Sequence, residues 1–294
     1  MVEQLGFGRR LFLAVNYALL AALALLCLLP LVHVLAVSFS SSHAATAGLV
    51  KLWPVDVTLS SYEFVLAKPA FLKSVGVTLQ RVLLGVAVNM LLTILIAYPL
   101  AKETNKFPYR TAYVWFFVVT MLFHGGLIPL YMTVKYTGVM NTIWALVLPG
   151  AVPVFNVVLL LNFFRGLPKE LEEAAFMDGA GHWTTLWRVI VPLSAPALAT
   201  ITLFATVGHW NSWFDGLIFM NSPERYPLQS YLQTVVINRD LALMSSTDLK
   251  SLSEVSDRTA KAAQIFLGAL PILLVYPFLQ RFFMKGIVLG SVKE

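Results

Sequence analysis

One cysteine, Cys27, is all that the 294 residues hold, which excludes an intrachain disulfide and any cysteine-based zinc site. Charge is scarce too. The 21 Lys and Arg and 15 Asp and Glu make up 12% of the chain, against roughly 25% in soluble domains. So few charges cannot cover a water-soluble surface of this size, and a soluble globular enzyme is excluded. A disordered chain is excluded as well, because 58% of the residues are apolar and the mean hydropathy is +0.76. The net charge of +6 is a small excess that no basic stripe gathers, so nucleic acid is not an expected partner. No G-x-x-x-x-G-K-[ST] occurs, and the chain therefore has no phosphate cradle of its own. The five histidines are too dispersed for a zinc ligand set, and no metal is expected. No internal repeat or low-complexity stretch stands out.

What the chain does have is long apolar runs. Crossing roughly 30 Å of hydrocarbon at about 1.5 Å per residue takes about 20 mostly apolar residues. Six stretches qualify: 11–37, 82–101, 113–134, 142–164, 196–220 and 262–280. They are close to half of the chain, yet hold one formal charge, Asp215. This pattern predicts an all-α integral membrane protein with six transmembrane helices. Prolines inside the runs (Pro30, Pro99, Pro129, Pro149, Pro153, Pro196, Pro271, Pro277) are expected to kink helices without breaking them. Arg9-Arg10 ahead of the first run resembles a secretory or twin-arginine signal, with AATA at 44–47 as a cleavage site. The run is longer than the usual 7–15 residues of a signal core, so it reads as an uncleaved first span. Six crossings return both termini to one side. Lys and Arg are about 1.5 times denser in 1–10, 102–112, 165–195 and 281–294 than in 38–81, 135–141 and 221–261, which puts both termini in the cytoplasm.

Two loops, 165–195 and 221–261, are too long for hairpin connections, and loops of that length usually have a job. The first contains LPKELEEAAFMDGAGHWTTLWRVIVPL at 167–193. Pro168 suits a first helical position, with Glu170, Glu172 and Glu173 in the first turns, where acids favour the helix dipole. Gly179 suits the left-handed position that ends such a helix. The spacing predicts a helix of about 11 residues, a turn, and a second helix from Thr184 to near Pro192. Leu171, Ala174, Ala175 and Asp178 then share one small-residue face. A surface-lying amphipathic helix and a face for another protein both fit this pattern.

EAAFMDGAG followed by VIVPL closely resembles the EAA loop of permease subunits of binding-protein-dependent ABC importers. Glu173, Ala174, Ala175, Asp178, Gly179 and Pro192 match that pattern in identity and register. Val189 and Val191 stand where the family usually has Ile and Leu. MLFHGGLIPLY at 121–131, NTIWALVLPGAVPVFN at 141–156, GHWNSWFDGLIFMN at 208–221, YPLQSYLQTVV at 226–236 and the terminal KGIVLGSVKE are similar to the carbohydrate-uptake branch. Within it they resemble permeases for oligosaccharides of polysaccharide breakdown, alginate importers among them.

The resemblance implies a type I ABC importer permease fold, with 1–294 as one permease domain, 165–195 as the coupling loop and 221–261 as a periplasmic loop. It makes 173–180, with Glu173, Ala174, Ala175, Asp178, Gly179 and Ala180, the ATPase-coupling segment. It also implies a homologous permease partner (as a heterodimer), two ATPase subunits that hold the ATP and Mg, and a periplasmic solute-binding protein. The place would be the bacterial inner membrane, in contact with its lipid, and the chain would bind no cofactor and do no covalent chemistry. The alternative is a secondary, ion-coupled sugar transporter, which uses ionisable residues in its spans as relays. Here only Asp215 is charged, and His33, His124 and His209 lie on separate spans. A membrane-embedded enzyme fares no better, because His209 and Asp215 on one helix stand about 120° apart.

The fifth span reads GHWNSWFDGLIFM. On one continuous helix Asn211 and Asp215 lie about 40° apart and form a polar stripe, with Trp210 and Trp213 flanking it. Sugars are commonly held by hydrogen bonds together with aromatic faces, so Trp210, Asn211, Trp213 and Asp215 are candidate pathway residues. Asn211 and Asp215 could equally tie this helix to its neighbours. An acid facing lipid costs about 2.5–3.5 kcal/mol at mid-depth, so Asp215 is expected to face the interior. It would repel an anionic sugar unless a base such as Arg81, or the partner subunit, compensates. Leu228, Tyr231 and Leu232 fall at helical spacing, either as a docking helix for the binding protein or as a cover for the outer mouth.

Overall fold

The computed structural model describes residues 7–237 and 256–291, with side chains for 7–235, 256–275 and 277. No strand occurs among the described residues. In chain order the helices are α1 (Phe7–Ser38), α2 (Ser42–Thr46), α3 (Ser60–Leu66), α4 (Pro69–Ala101), α5 (Arg110–Leu122), α6 (Leu127–Tyr136), α7 (Ile143–Val147), α8 (Val154–Gly166), α9 (Lys169–Met177), α10 (His182–Thr185), α11 (Val191–Leu193), α12 (Ala195–Asn211), α13 (Phe214–Phe219), α14 (Leu228–Ile237) and α15 (Asp257–Ser291).

Among the described residues, three helices are long and apolar enough to cross a membrane: α1, α4 and Asp257–Val275 of α15. Three bent pairs bring the number to six when each pair is counted as one span. The prolines behave in two ways. Pro30, Pro99, Pro271 and Pro277 sit inside unbroken helices. Elsewhere the expectation of kinks is corrected, for three spans are broken outright.

Between α5 and α6 the chain turns by 113°. The turn falls at Gly125-Gly126, where Gly126 has φ +91°, a conformation that side chains with a Cβ rarely adopt. Ile143–Gly150 and α8 meet at 50°. Pro149 and Pro153 remove two backbone donors there, and Asn89 Nδ2 bonds the Gly150 and Ala151 carbonyls at 2.8 and 2.9 Å. His182–Leu193 and α12 meet at 82°. Just before that break the helix widens at Leu186–Ile190 into a π-type turn, ahead of Pro192, whose ring cannot fit the regular α-helical spacing.

The described residues group into two compact units, one drawn from Met1–Pro69 and Thr234–Leu270, the other from Ala70–Gln233 and Pro271–Glu294. In the first, Ala36, Val37, Ala44, Ala45, Val50 and Ala262 form a small core. Ser38 and Tyr62 hydroxyls meet at 2.7 Å, and Arg258 Nη1 donates to the Ala45 carbonyl at 3.1 Å. Most of α1 presents exposed leucines (Leu19, Leu23, Leu25, Leu26), a patch too large for water and suited to lipid. In the second unit the main core joins Ile94, Ala97, Tyr98 and Leu100 of α4 to Val157, Leu160, Leu161 and Phe164 of α8, with Leu186, Ile190 and Ile201. A separate cluster of Val134, Ala145, Leu146, Phe219 and Met220 holds α6, α7 and α13 together.

Candidate functional site

The predicted short helix is α9, which starts at Lys169 with Pro168 as its N-cap. Its end has the expected form. Gly179 has φ +81°, the Ala180 N–H donates to Ala175 O at 2.9 Å and the Gly179 N–H to Phe176 O at 3.0 Å. That 6→1 and 5→2 pair is a Schellman cap. Beyond it, Phe176 meets the His182 ring edge-on at 5.1 Å, fixing the turn into α10. Of the shared face, Leu171, Ala174 and Asp178 are open while Ala175 is half-buried; Glu173, Met177 and Gly179 are exposed as well.

Two ion pairs fasten α9 to the chain just beyond α4. Lys102 Nζ lies 2.5 Å from Glu172 Oε1 with both side chains mostly covered, and the ammonium sits 3.8 Å over the Tyr98 ring. Burial pulls the Lys102 pKa down and Glu172 opposes that shift. The second pair, Lys169 with Glu103, is exposed. Lys169 holds the Glu103 carboxyl below its usual range, and Glu103 in turn raises Lys169.

The fifth span is built differently from the expected continuous helix. Its α12 ends at Asn211, Ser212 is extended (ψ 126°), and α13 begins at Phe214. Arg81 decides this. Its Nη1 takes the Ser212 carbonyl at 3.3 Å, the acceptor that the Gly216 N–H would use in an unbroken helix. Gly216 N instead donates to Asp215 Oδ1 at 2.9 Å, as does Ser212 Oγ at 2.9 Å. The two terminal guanidinium nitrogens of Arg81, Nη1 and Nη2, grip the Asp215 carboxylate, and Arg81 is only 3% exposed. Asp215 therefore faces inward, as expected, with Arg81 as the compensating base.

The polar stripe is corrected accordingly. Asp215 belongs with Arg81 across the protein, while Asn211 lies exposed on the other side of the break. The two tryptophans also part. Trp210 is 4% exposed and lines a small apolar cavity of about 140 Å³ with Leu79, Val82, Leu203 and Val207. Trp213 is 41% exposed and stacks edge-on to Phe214 at 5.5 Å.

A second polar seam lies one turn earlier. His209 Nε2 and Asn89 Oδ1 are 2.8 Å apart. Asn89 gives its amide N–H groups to carbonyls, so its Oδ1 accepts and the histidine donates. A Cβ on Gly85 would collide with the His209 ring, so only glycine lets these helices approach so closely. Neither Asn89 nor Gly85 is conspicuous in sequence, because a lone polar or small residue in an apolar run carries no periodic signal. The Leu228–Ile237 helix does form, but Leu228 and Leu232 are buried, and Tyr231 meets Phe71 at 6.3 Å. Those three side chains cover the protein and do not project outward. The segment 238–255 between them and α15 lies outside the described residues.

Residues 90–288 match the family described as binding-protein-dependent transport system inner membrane components. The matched region holds the whole of α9, its cap and the fifth span. The chain belongs to this family. It is 38% identical to protein LplC of Bacillus subtilis over 97% of this chain and 95% of that one. It is 37% identical to the polygalacturonan/rhamnogalacturonan transport system permease protein YtcP of the same species, over 97% and 99%. Among solved structures, a chain of a bacterial ABC transporter involved in the import of the acidic polysaccharide alginate superposes with TM-score 0.89 at 31% identity, covering 96% of this chain and 100% of that one. The fold is thus that of a type I ABC permease, a transport subunit integral to the membrane.

Proposed function

We propose that this permease, acting as one domain of 294 residues, forms half of the membrane pathway of an ATP-driven oligosaccharide importer. The observation that carries the reading is α9: a short, capped helix, open on the face of Leu171, Ala174 and Asp178 and fastened through Lys102–Glu172 to the chain just beyond α4. A helix held so can receive a push and pass it into a span. Residues 173–180 meet a groove of an ATPase subunit; a homologous permease supplies the other half of the pathway. Two ATPase chains bind the ATP and Mg, and a solute-binding protein delivers the sugar from outside. ATP binding closes the ATPases and opens the pathway outward; hydrolysis resets it inward. Both termini lie in the cytoplasm of a bacterium, with 221–261 periplasmic. Membership of a binding-protein-dependent family argues against an ion-coupled carrier.

Oligosaccharides of acidic polysaccharides are the first class to test, because relatives are named for galacturonan and alginate transport. With Arg81 on Asp215 the fifth span no longer presents a bare anion. Asn211 and Trp213, exposed beside the break, are the contact candidates; Trp210 and Asp215 support them from within. ATP-dependent uptake of defined glycan fragments by the complex in vesicles tests the whole reading. Asn211→Ala and Trp213→Ala should change selectivity while leaving assembly and Tm alone. Uptake driven by an ion gradient without ATP defeats the reading; loss of assembly without altered selectivity makes the two residues structural.

A further inference from the structure

At the root of α9 two clefts share a wall. The first, of about 300 Å³, is lined by five cations, Lys102, Lys106, Arg110, Arg165 and Lys169, against the carboxylates of Glu103 and Glu172. Glu172 is taken by Lys102 and Glu103 by Lys169. Lys106, Arg110 and Arg165 make no ion pair among the described residues. Arg110 Nη1 donates to Lys102 O at 3.1 Å and Arg165 Nη2 to Leu100 O at 3.3 Å. Two guanidinium groups are thereby gathered at one helix end, while the carboxylates of the same cleft pair with Lys102 and Lys169. Arg110 Nε and Tyr98 Oη, on residues that line the cleft, are buried without a hydrogen-bond partner.

The second cleft, of about 320 Å³, shares Tyr98, Lys102 and Lys106 with the first, but its remaining walls are largely apolar: Leu95, Pro99, Phe107, Trp183 and Leu186. Exposed Tyr109, Tyr113 and Trp115 stand beside Arg110 at the start of α5. Aromatic residues so placed mark the membrane–water boundary. A free anion fits the cationic cleft and leaves the apolar one unexplained. An acidic side chain of an ATPase subunit does the same. An amphiphile with a phosphate head fits both, and basic pockets between membrane helices at the cytoplasmic side are suited to anionic head groups.

We propose that the paired clefts hold an anionic phospholipid, its phosphate on Lys106, Arg110 and Arg165 and its glycerol and upper acyl chain against Pro99, Phe107 and Trp183. The lipid then lies one side chain away from the Lys102–Glu172 and Glu103–Lys169 pairs that fasten α9. Its occupancy sets how firmly that helix is held, a consequence that rests on the coupling role proposed above; the binding itself does not. The test uses the permease purified with its partner chains in neutral detergent, where lipid retention is read by native mass spectrometry and stability by thermal unfolding, neither of which depends on orientation or ATP turnover. Phosphatidylglycerol should be retained and should raise Tm, whereas phosphatidylcholine and inorganic phosphate should not. Lys106→Gln, whose side chain carries no backbone bond, should weaken retention about fivefold with assembly intact, and Trp183→Ala should weaken it without changing net charge. Equal retention of both lipids, equal stabilisation by phosphate alone, or unchanged retention in both variants overturns the proposal. If lipid binds as described while ATPase coupling is insensitive to α9, the site stands and only the coupling reading falls.

Discussion

At the residue scale, Gly179 combines φ +81° with open space where a Cβ would stand. A substitution there meets strain but no clash. A left-handed conformation costs an L-residue roughly 1–2 kcal/mol, and more for a β-branched one, whereas Asn tolerates it. Gly179→Val is therefore expected to loosen the Schellman cap and weaken co-purification with the ATPase while the spans stay folded. Gly179→Asn should be close to wild type. Normal transport by the Val variant would make α9 a passive surface helix. Arg81 and Asp215 are a matter of desolvation. Arg81→Gln leaves a partly buried carboxylate with Ser212 and Gly216 but no cation. The expected loss is about 3 kcal/mol, the lower end for breaking a buried pair, since Asp215 keeps 24% of its side-chain exposure. The double variant Arg81→Gln, Asp215→Asn removes both charges and should cost less than the single change in thermal unfolding. A larger loss in the double variant would place the stabilisation in the individual hydrogen bonds and not in charge pairing.

The element scale concerns how α9 is attached. Glu172 and Lys102 are mostly covered, while the Glu103 and Lys169 side chains are 49% and 73% exposed. A covered charge left without its partner keeps its desolvation cost with nothing to offset it, whereas an exposed pair is screened by water and contributes little. Glu172→Gln should therefore loosen α9 more than Glu103→Gln, as read by hydrogen exchange of the α9 amides. Equal effects would contradict this ranking. The exposed pair has a definite pH window. Glu103 is depressed below its ordinary 4.5, so its contribution is present above that value and is lost as pH falls through the depressed one. Lys169 is raised above 10.5, so its contribution is present below that value and is lost as pH rises through the raised one. A double-mutant cycle on Glu103 and Lys169 should show coupling at neutral pH and none in strong acid. Coupling that persists in acid would mean the two side chains interact other than by charge.

At the scale of the whole molecule, the orientation proposal puts 102–112 inside and 221–261 outside. With Cys27 replaced by Ala, a cysteine at Glu224, which is exposed, should react with an impermeant thiol reagent on intact cells. A cysteine at Asn105, also exposed, should react only after permeabilisation. The reverse pattern would defeat the coupling of α9 to a cytoplasmic ATPase as well. Packing at this scale also bears on where spans break. At the Gly150–Pro153 break, and again at the separate Ser212 break between α12 and α13, a side chain from α4 donates to the open carbonyls: Asn89 to Gly150 and Ala151, Arg81 to Ser212.

The sequence by itself determined the membrane class, the number of apolar segments and a short helix ended by Gly179, read as about 11 residues from Pro168 where the structure has Lys169–Met177. Charge exclusion, local helical spacing and one glycine's φ are all properties of neighbouring residues, so they are legible along the chain. Its EAA pattern also led to the family. Only the tertiary structure decided that Asp215 joins Arg81, 134 residues away, in place of a stripe with Asn211, and that Trp210 packs inside while Trp213 stays open. Helical periodicity assumes an unbroken ladder of backbone bonds. Here a distant guanidinium takes one of those acceptors in a low-dielectric interior, where pairing a charge outweighs one turn of helix, and no local pattern records it.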